Sequence, residues 1–260
     1  MKKSLFIASV ILMVFAEQGR CQPTLAQPSL PPGPLIANHM PDYAQWTIDY
    51  TYSDAPKPGA DSALLTQYKK LALQDPAIAK AMANPHFIDA LNPARPVHVV
   101  ITKTGNIRHV ERSLERGLKS ELWSDAGTRI EQNANMPGPI VSMGNSVTQN
   151  EFPEFNWVSK ESFTGIDTGN GHQCLVFKSQ VDTLELAHPG SGGSGVTVPA
   201  IAYIDLKTRY PISLQFGVET RQFTYLAPPT AQLVLPDECA AAVKATEDRI
   251  QKATPHLSPP

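Results

Sequence analysis

The chain has 260 residues, of which 42% are hydrophobic and 18% are charged. This apolar content is enough to bury a core, so the composition excludes a disordered polyelectrolyte. The 22 basic and 24 acidic residues give a formal net charge of −2, and the basic residues form no cluster, so nucleic acid is not expected as a partner.

Residues 1–26 are predicted to be a secretory signal peptide. Lys2 and Lys3 provide the positive start, and the apolar run of residues 5–16 follows. That run is too short to span about 30 Å of hydrocarbon, and no later stretch is apolar enough to do so. The protein is therefore expected to be exported to the periplasm or the extracellular space. Cys21 is not expected to carry a lipid anchor, because residues 18–20 (QGR) do not form the pattern of aliphatic and small residues typical of such processing sites.

Residues 27–42 are predicted to be a proline-rich tether, because prolines are frequent there and no apolar period is visible. A single β-rich domain is predicted over residues 43–253, and residues 254–260 are predicted to be a flexible tail. A strand is expected first in the domain, where apolar and polar residues alternate. Its apolar positions are Trp46, Ile48, Tyr50 and Tyr52.

Helical spacing follows over residues 61–84. Within this range Asp75 precedes Pro76, a pair that is typical of an N-cap and a first helical turn. A second short helix is therefore predicted to begin there.

Residues 97–132 contain three turn signals about ten residues apart, at Gly105-Asn106, Arg116-Gly117 and Ala126-Gly127. If each is a two-residue hairpin loop, four antiparallel strands follow with calculable registers. The registers place one apolar residue from each strand in a single row. These residues are Ile101, Val110, Trp123 and Ile130.

The same registers place Arg112 opposite Glu121, which predicts a cross-strand ion pair. The reverse face is mostly polar, so the four strands are expected to form a curved meander that covers something on its inner face. His98 and His109 lie on the polar face about two rows apart, too far to share a metal ion.

The second half of the domain contains further strand signals. Residues 172–178 are apolar on both faces and predict a central strand, whereas the glycine-rich residues 189–195 predict a surface loop. Asp237 is predicted to cap a final helix that ends near Lys252. The residues expected to pack from this helix are Ala240, Ala241, Val243 and Ile250.

Two cysteines, Cys174 and Cys239, remain in the predicted domain. In an oxidising compartment they could form a disulfide that closes a loop of about 65 residues, worth ~4 kcal/mol in the chain-entropy model. The alternative is two separate thiols, with Cys174 buried in its strand. No CxxC or HxxxH spacing is present, so no metal site is predicted.

Two patches carry a resemblance to a known family. Residues 123–127 place a turn after a tryptophan, and residues 203–225 contain a strand pair joined by a turn with acidic, threonine, basic and proline residues. These patches resemble the periplasmic lipoprotein-carrier group, the LolA-type half-barrels, and their secreted lipid-binding relatives. The resemblance implies an incomplete antiparallel barrel closed by helices around a hydrophobic cavity for acyl chains. It places no functional residue of that family on this chain.

The predicted fold is α+β, a curved antiparallel half-barrel with two or three packed helices. No catalytic residue and no cofactor are predicted: residues 190–195 match GxGxxG, but they precede a strand and lack the helix that dinucleotide binding requires. Three functions remain open. The first is a non-catalytic protein that binds a lipid or acyl chain, and the second is an envelope protein with a filled core and a protein partner. The third is an unrecognised hydrolase.

In the first alternative a concave surface rich in aromatic residues lines the cavity. Its predicted lining residues are Trp46, Tyr50, Ile101, Val110, Trp123, Ile130, Trp157, Phe216, Phe223 and Tyr225.

Overall fold

The computed structural model describes residues 29–54, 63–83, 94–133, 138–143, 150–183 and 195–253. The predicted signal peptide with Cys21, most of the glycine-rich loop and the predicted tail lie outside the described residues.

Within these ranges the chain forms one antiparallel sheet of eleven strands and three α-helices. The sheet is curved and does not close, which confirms the predicted α+β half-barrel. The strands are β1 Tyr43–Tyr52, β2 Pro96–Thr104, β3 Ile107–Leu114, β4 Lys119–Asp125, β5 Thr128–Asn133, β6 Ile140–Ser142, β7 Phe163–Gly169, β8 His172–Asp182, β9 Thr197–Asp205, β10 Pro211–Phe216 and β11 Glu219–Leu226. The helices are α1 Ala63–Ala72, α2 Pro76–Met82 and α3 Asp237–Ala253.

Two meanders meet in the middle of the sheet. The strand order is β6-β5-β4-β3-β2-β1-β11-β10-β9-β8-β7, so β1 and β11 are hydrogen-bonded neighbours that lie far apart in sequence. The two edge strands, β6 and β7, follow each other along the chain. The connection between them must therefore cross from one edge of the curved sheet to the other.

The described part of this connection, residues 150–162, crosses the concave face. Phe152 and Phe155 are fully buried at either end of a short 3₁₀ turn. The ring centroid of Phe152 lies 6.2 Å from that of Trp46 on β1, and the centroid of Phe155 lies 5.7 Å from that of Phe223 on β11. The connection thus supplies part of the main core.

Residues 29–42, the described part of the predicted tether 27–42, also lie against this core. Leu30, Leu35 and Ile36 pack against it. The side chain of Arg209 donates a hydrogen bond to the Pro32 carbonyl at 3.0 Å. This segment is packed against the domain because the aliphatic side chains between its prolines reach the sheet.

The register of the predicted meander is correct at its first and third turns and wrong at its second. Ile101 faces Val110, and Trp123 faces Ile130, as expected. Val110, however, faces Leu122 and not Trp123. The predicted apolar row is therefore divided between the two faces of the sheet, since a shift of one residue reverses every side chain.

The loop between β3 and β4 causes this shift. It has three residues, Glu115–Gly117, and the backbone N–H of Leu114 donates to the Leu118 carbonyl across it at 2.9 Å. Arg116 and Gly117 have φ values of 66° and 74°. Two successive left-handed residues are also what a two-residue loop requires, so the sequence signal is the same for both lengths.

The same shift prevents the predicted ion pair between Arg112 and Glu121. Glu121 faces Glu111 across the strands, whereas Arg112 faces Ser120. Arg112 and Glu121 consequently lie on opposite faces of the sheet.

Helix α3 lies beside β5 and β6 on the outer face of the sheet. Its Cys239 packs with Trp123 and Ile130 in a second, smaller core, and Val243 contacts the same cluster. The predicted helix and the packing of Val243 are confirmed, but the helix buries a different face from the one expected. The exposed residues of the predicted set are Ala240, Ala241 and Ile250.

Helices α1 and α2 lie between β1 and β2 in sequence and contact each other. The backbone N–H of Ala77 donates to Asp75 Oδ1 at 2.8 Å, which confirms the predicted cap of α2. Among the described residues, no helix is both long and apolar enough to cross a bilayer.

Candidate ligand-binding cavity

A cavity of about 1100 Å³ lies on the concave face and opens to solvent. Strands β1 to β4 form its floor, the β4–β5 turn forms one end, and Glu151, Phe152 and Glu154 of the connection form a wall. The curvature of the sheet and the crossing connection together create this space, because the connection covers only part of the concave face.

The floor is apolar because alternate residues of neighbouring strands align in rows. Trp46 faces Ile101, Ile101 faces Val110, and Val110 faces Leu122. A parallel row contains Ile48 opposite Val99. All six side chains line the cavity.

The next row toward one end is polar and mostly basic. Lys103 faces Arg108, Arg108 faces Ser124, and Ser124 faces Arg129. All four residues line the cavity. The cavity therefore places cations beside an apolar floor, at a spacing of two residues, or about 7 Å, along each strand.

Two of these cations have carboxylate partners. Lys103 Nζ lies 2.9 Å from Glu151 Oε1, and both side chains are largely buried. The other oxygen of Glu151 accepts a short hydrogen bond from the backbone N–H of Met40. Arg129 forms a short ion pair with Glu131.

Arg108 differs from its neighbours in that row. Within the described residues its Nε has no hydrogen-bond partner, although the atom is buried. Its Cζ lies 5.3 Å from the ring centroid of Trp46, in a cation–π contact. Burial lowers the pKa of Arg108, although the carboxylates of Glu151 and Glu154 act in the opposite direction.

A second charged group lies at the other end of the cavity. Arg221 Nε donates to Glu219 Oε1 at 2.5 Å, and Arg221 Nη1 lies 3.6 Å from Glu154 Oε1. Burial raises the pKa of Glu154, and the nearby Arg221 only partly offsets this effect. For Arg221 burial favours the neutral form, but Tyr50 and the two carboxylates outweigh it and raise its pKa.

The structure separates the predicted lining residues into three groups. The first lines the cavity and comprises Trp46, Tyr50, Ile101 and Val110. The second packs in the filled part of the concave face, beside the cavity, and comprises Trp157, Phe216, Phe223 and Tyr225. The third, Trp123 and Ile130, lies on the outer face under α3. The prediction was wrong for this last pair because the three-residue loop reverses β4 and β5.

The charged residues of the cavity were missed by the sequence argument. Arg108 and Val110 are two residues apart on β3, so their side chains lie on the same face of the sheet, and strand alternation alone could have placed Arg108 on the inner face. Glu151 and Glu154 lie on the connection, where no periodic pattern predicts which side chains point inward.

The predicted disulfide is absent, since Cys174 and Cys239 are both free and buried. Cys174 lies in β8, where its Sγ is 3.5 Å from the His172 carbonyl oxygen. Cys239 lies on α3 with its Sγ 3.9 Å from Gln132 Oε1. The two thiols lie near opposite edges of the sheet, because α3 packs against β5 and β6 whereas β8 is next to the other edge strand.

The described part of the chain contains no group of three or more His, Cys, Asp or Glu side chains that could hold a metal ion. His98 Nδ1 lies 2.7 Å from Asp49 Oδ1. His109 stacks on Trp123 with ring centroids 3.9 Å apart. Both histidines lie on the outer face, away from the cavity.

No protein-family model matches the chain, and no curated protein matches it significantly. Among solved structures, the lipoprotein LppX of Mycobacterium tuberculosis is similar, with 9% identity and a TM-score of 0.34 over 74% of this chain and 89% of that chain. LprF from Mycobacterium bovis is similar with 10% identity and a TM-score of 0.36, over 76% of this chain and 90% of that chain. Both similarities in backbone structure are weak, and neither supports a conclusion about function.

Proposed function

We propose that the protein is an exported, non-catalytic binding protein that holds a lipid or acyl-chain ligand in its half-barrel. The observation that carries this proposal is the cavity of about 1100 Å³ with its apolar floor. Small-molecule sites are usually concave, largely apolar and about 300–1,000 Å³ in volume. The volume lies near the upper end of that range, so the cavity has room for an acyl chain along its apolar floor.

The test uses a fluorescent fatty acid and a variant that fills the cavity. Leu122 lines the floor and is only partly buried, so Leu122→Trp adds a large apolar side chain without burying a charge. We expect wild type to take up the probe and Leu122→Trp to bind it at least about tenfold more weakly, which corresponds to ~1.4 kcal/mol. Fluorescence titration measures both.

Lys119→Trp is the matched control. Lys119 is exposed on the same strand as Leu122, and its odd position places it on the outer face. The control should bind like wild type. A wild-type protein that is folded, ligand-free by native mass spectrometry and unable to bind the probe would contradict the proposal. That result would favour the envelope protein with a protein partner.

Export rests on residues 1–26, which lie outside the described residues. Expression of the full chain followed by fractionation tests it. Export with removal of the segment is the expected result, and a full-length product that stays in the cytoplasm would contradict it.

A further inference from the structure

We propose that Arg108 binds an acidic head group, a phosphate or a carboxylate, so that the ligand is an anionic amphiphile. This inference rests on the proposed function and specifies the chemistry of its ligand. Its starting point is a cation that lines the cavity but has no ion-pair partner among the described residues.

The carboxylates near Arg108 are already engaged. Glu151 forms an ion pair with Lys103 and accepts a hydrogen bond from the backbone N–H of Met40. Glu154 lies 3.6 Å from Arg221, and burial keeps its pKa high. Neither is within ion-pair distance of Arg108, so the positive charge facing the cavity is not neutralised by the domain itself.

The donors at this position match an oxyanion. A guanidinium presents several N–H groups in a planar fork that suits carboxylate and phosphate oxygens. The buried Nε–H of Arg108 is one such donor without an acceptor. Ser124 lies directly opposite Arg108 on β4 and lines the same cavity, so its hydroxyl can serve as a second donor.

The cation–π contact with Trp46 positions this guanidinium. With its Cζ 5.3 Å from the ring centroid, the guanidinium is held at the boundary between the basic row and the apolar floor. Val110, two residues along β3, belongs to that floor. A ligand with its head group on Arg108 would therefore place its chain against Val110, Ile101 and Leu122.

Arg112 adds to the positive potential. It also lines the cavity, and its charge is among the causes that lower the pKa of Arg108. An anion bound at Arg108 would reduce this repulsion. The same charges make a cationic head group unfavourable.

Calorimetric titration with two lipids that share one acyl chain tests the inference. Oleoyl lysophosphatidate carries a phosphate, whereas monoolein is its neutral counterpart. We expect wild type to bind the phosphate lipid roughly tenfold more tightly, the value for one charge-assisted hydrogen-bond pair. Arg108→Gln should remove most of this difference, because it should weaken binding of the phosphate lipid more than binding of monoolein.

Arg129→Gln is the matched control, because Arg129 belongs to the same row but already has Glu131 as a partner. It should retain most of the preference. Arg108→Lys, which keeps the charge but not the fork, should restore part of it. Circular dichroism confirms that each variant is folded before titration.

The outcomes separate this inference from the proposed function. Equal binding of the two lipids by wild type, or an equal loss for both in Arg108→Gln, overturns the head-group assignment and leaves lipid binding intact. If neither lipid binds, a third titration with inorganic phosphate decides: binding that Arg108→Gln abolishes supports a free oxyanion as the ligand of Arg108, and no binding overturns the site.

Discussion

Asp205 organises the turn that follows β9. Its Oδ1 accepts hydrogen bonds from the backbone N–H groups of Lys207 and Thr208, at 3.0 and 2.6 Å. The Thr208 hydroxyl donates to the same oxygen at 2.9 Å, and His172 Nδ1 lies 3.1 Å from Oδ2. Burial acts to raise the pKa of Asp205, but these hydrogen bonds outweigh it and hold the pKa below its usual value.

Replacement of Asp205 by Asn should therefore destabilise the protein in a pH-dependent way. The free energy of unfolding should fall by ~1–2 kcal/mol at neutral pH, because the charge-assisted part of the hydrogen bonds is lost. Because the folded-state pKa is depressed, this stabilisation is present above the usual pKa of 3.8 and is lost as the pH falls through the lower folded value. Urea unfolding of wild type and Asp205→Asn across this acidic range measures the difference.

Asp167→Asn serves as the control for that measurement. Asp167 lies on β7 and accepts one hydrogen bond, from the backbone N–H of Thr168 at 2.7 Å. Since its side chain is exposed, the substitution should change stability little. A loss for Asp205→Asn that is the same at acidic and neutral pH would contradict the role assigned to its charge.

For single residues, the sequence predicts contacts between chain neighbours better than contacts between strands around the cavity. The cap at Asp75 depends on residues two positions apart, so its pattern is visible in the chain itself. The position of Arg108 against Trp46 depends on the pairing of β1, β2 and β3, which no local pattern states. Trp46, Tyr50, Ile101 and Val110 share the concave face because they alternate on neighbouring strands, and whether they contact a ligand stays a prediction.

At the scale of elements, the loop Glu115–Gly117 decides which side chains of β4 lie on the concave face of the sheet. One residue more or fewer exchanges Leu122 with Trp123 on the inner face. The turn signals at the other two hairpins were sufficient, because Gly105-Asn106 and Ala126-Gly127 do form two-residue loops. The length of the middle loop is fixed by how Leu114 and Leu118 pair, which composition does not reveal.

Engineered cysteines would test this register. Glu111 and Glu121 are directly opposite and on the same face, so the double variant Glu111→Cys/Glu121→Cys should form a disulfide in air. Arg112→Cys/Glu121→Cys should not, because its two side chains lie on opposite faces. Mass spectrometry after alkylation of free thiols distinguishes the two. Cross-linking of the second pair in preference to the first would contradict the three-residue loop and support a two-residue loop between β3 and β4.

At the scale of the whole molecule, the sheet depends on one long-range pairing. Strand β1 pairs with β11 over eight residues, and each then leads into its own meander. Trp46 and Ile48 are buried on one side of this junction, with Phe223 beside them. The junction is thus both the middle of the hydrogen-bond network and part of the main core.

Amide hydrogen exchange should reflect that arrangement. The amides of β1 and β11 should exchange at least about tenfold more slowly than those of β6, because local opening requires the least energy at a short edge strand. Exchange followed by mass spectrometry measures this for peptides from each strand. Equal protection of β6 and β1 would contradict the proposed hierarchy.

The overall architecture was accessible from sequence, and the cavity only in part. Strand alternation and turn spacing predict a curved antiparallel sheet because both are local. The burial of Phe152 and Phe155 against β1 and β11 is a contact across more than a hundred positions for β1, and it determines how much of the concave face remains open. The same reason explains why Trp157 was assigned to the cavity but lies in the filled part.

The connection between the edge strands also determines how much open volume remains on the concave face. Residues 150–162 make contacts through side chains such as Phe152 and Glu151 and occupy no position in the β ladder. Shortening this stretch, or exchanging its aromatic residues for smaller ones, would enlarge the space available to a guest molecule while every strand kept its neighbours. The open volume and the order of the strands are in this sense encoded by separate parts of the chain, whereas the stability of the fold depends on both, because Phe152 and Phe155 belong to the main core.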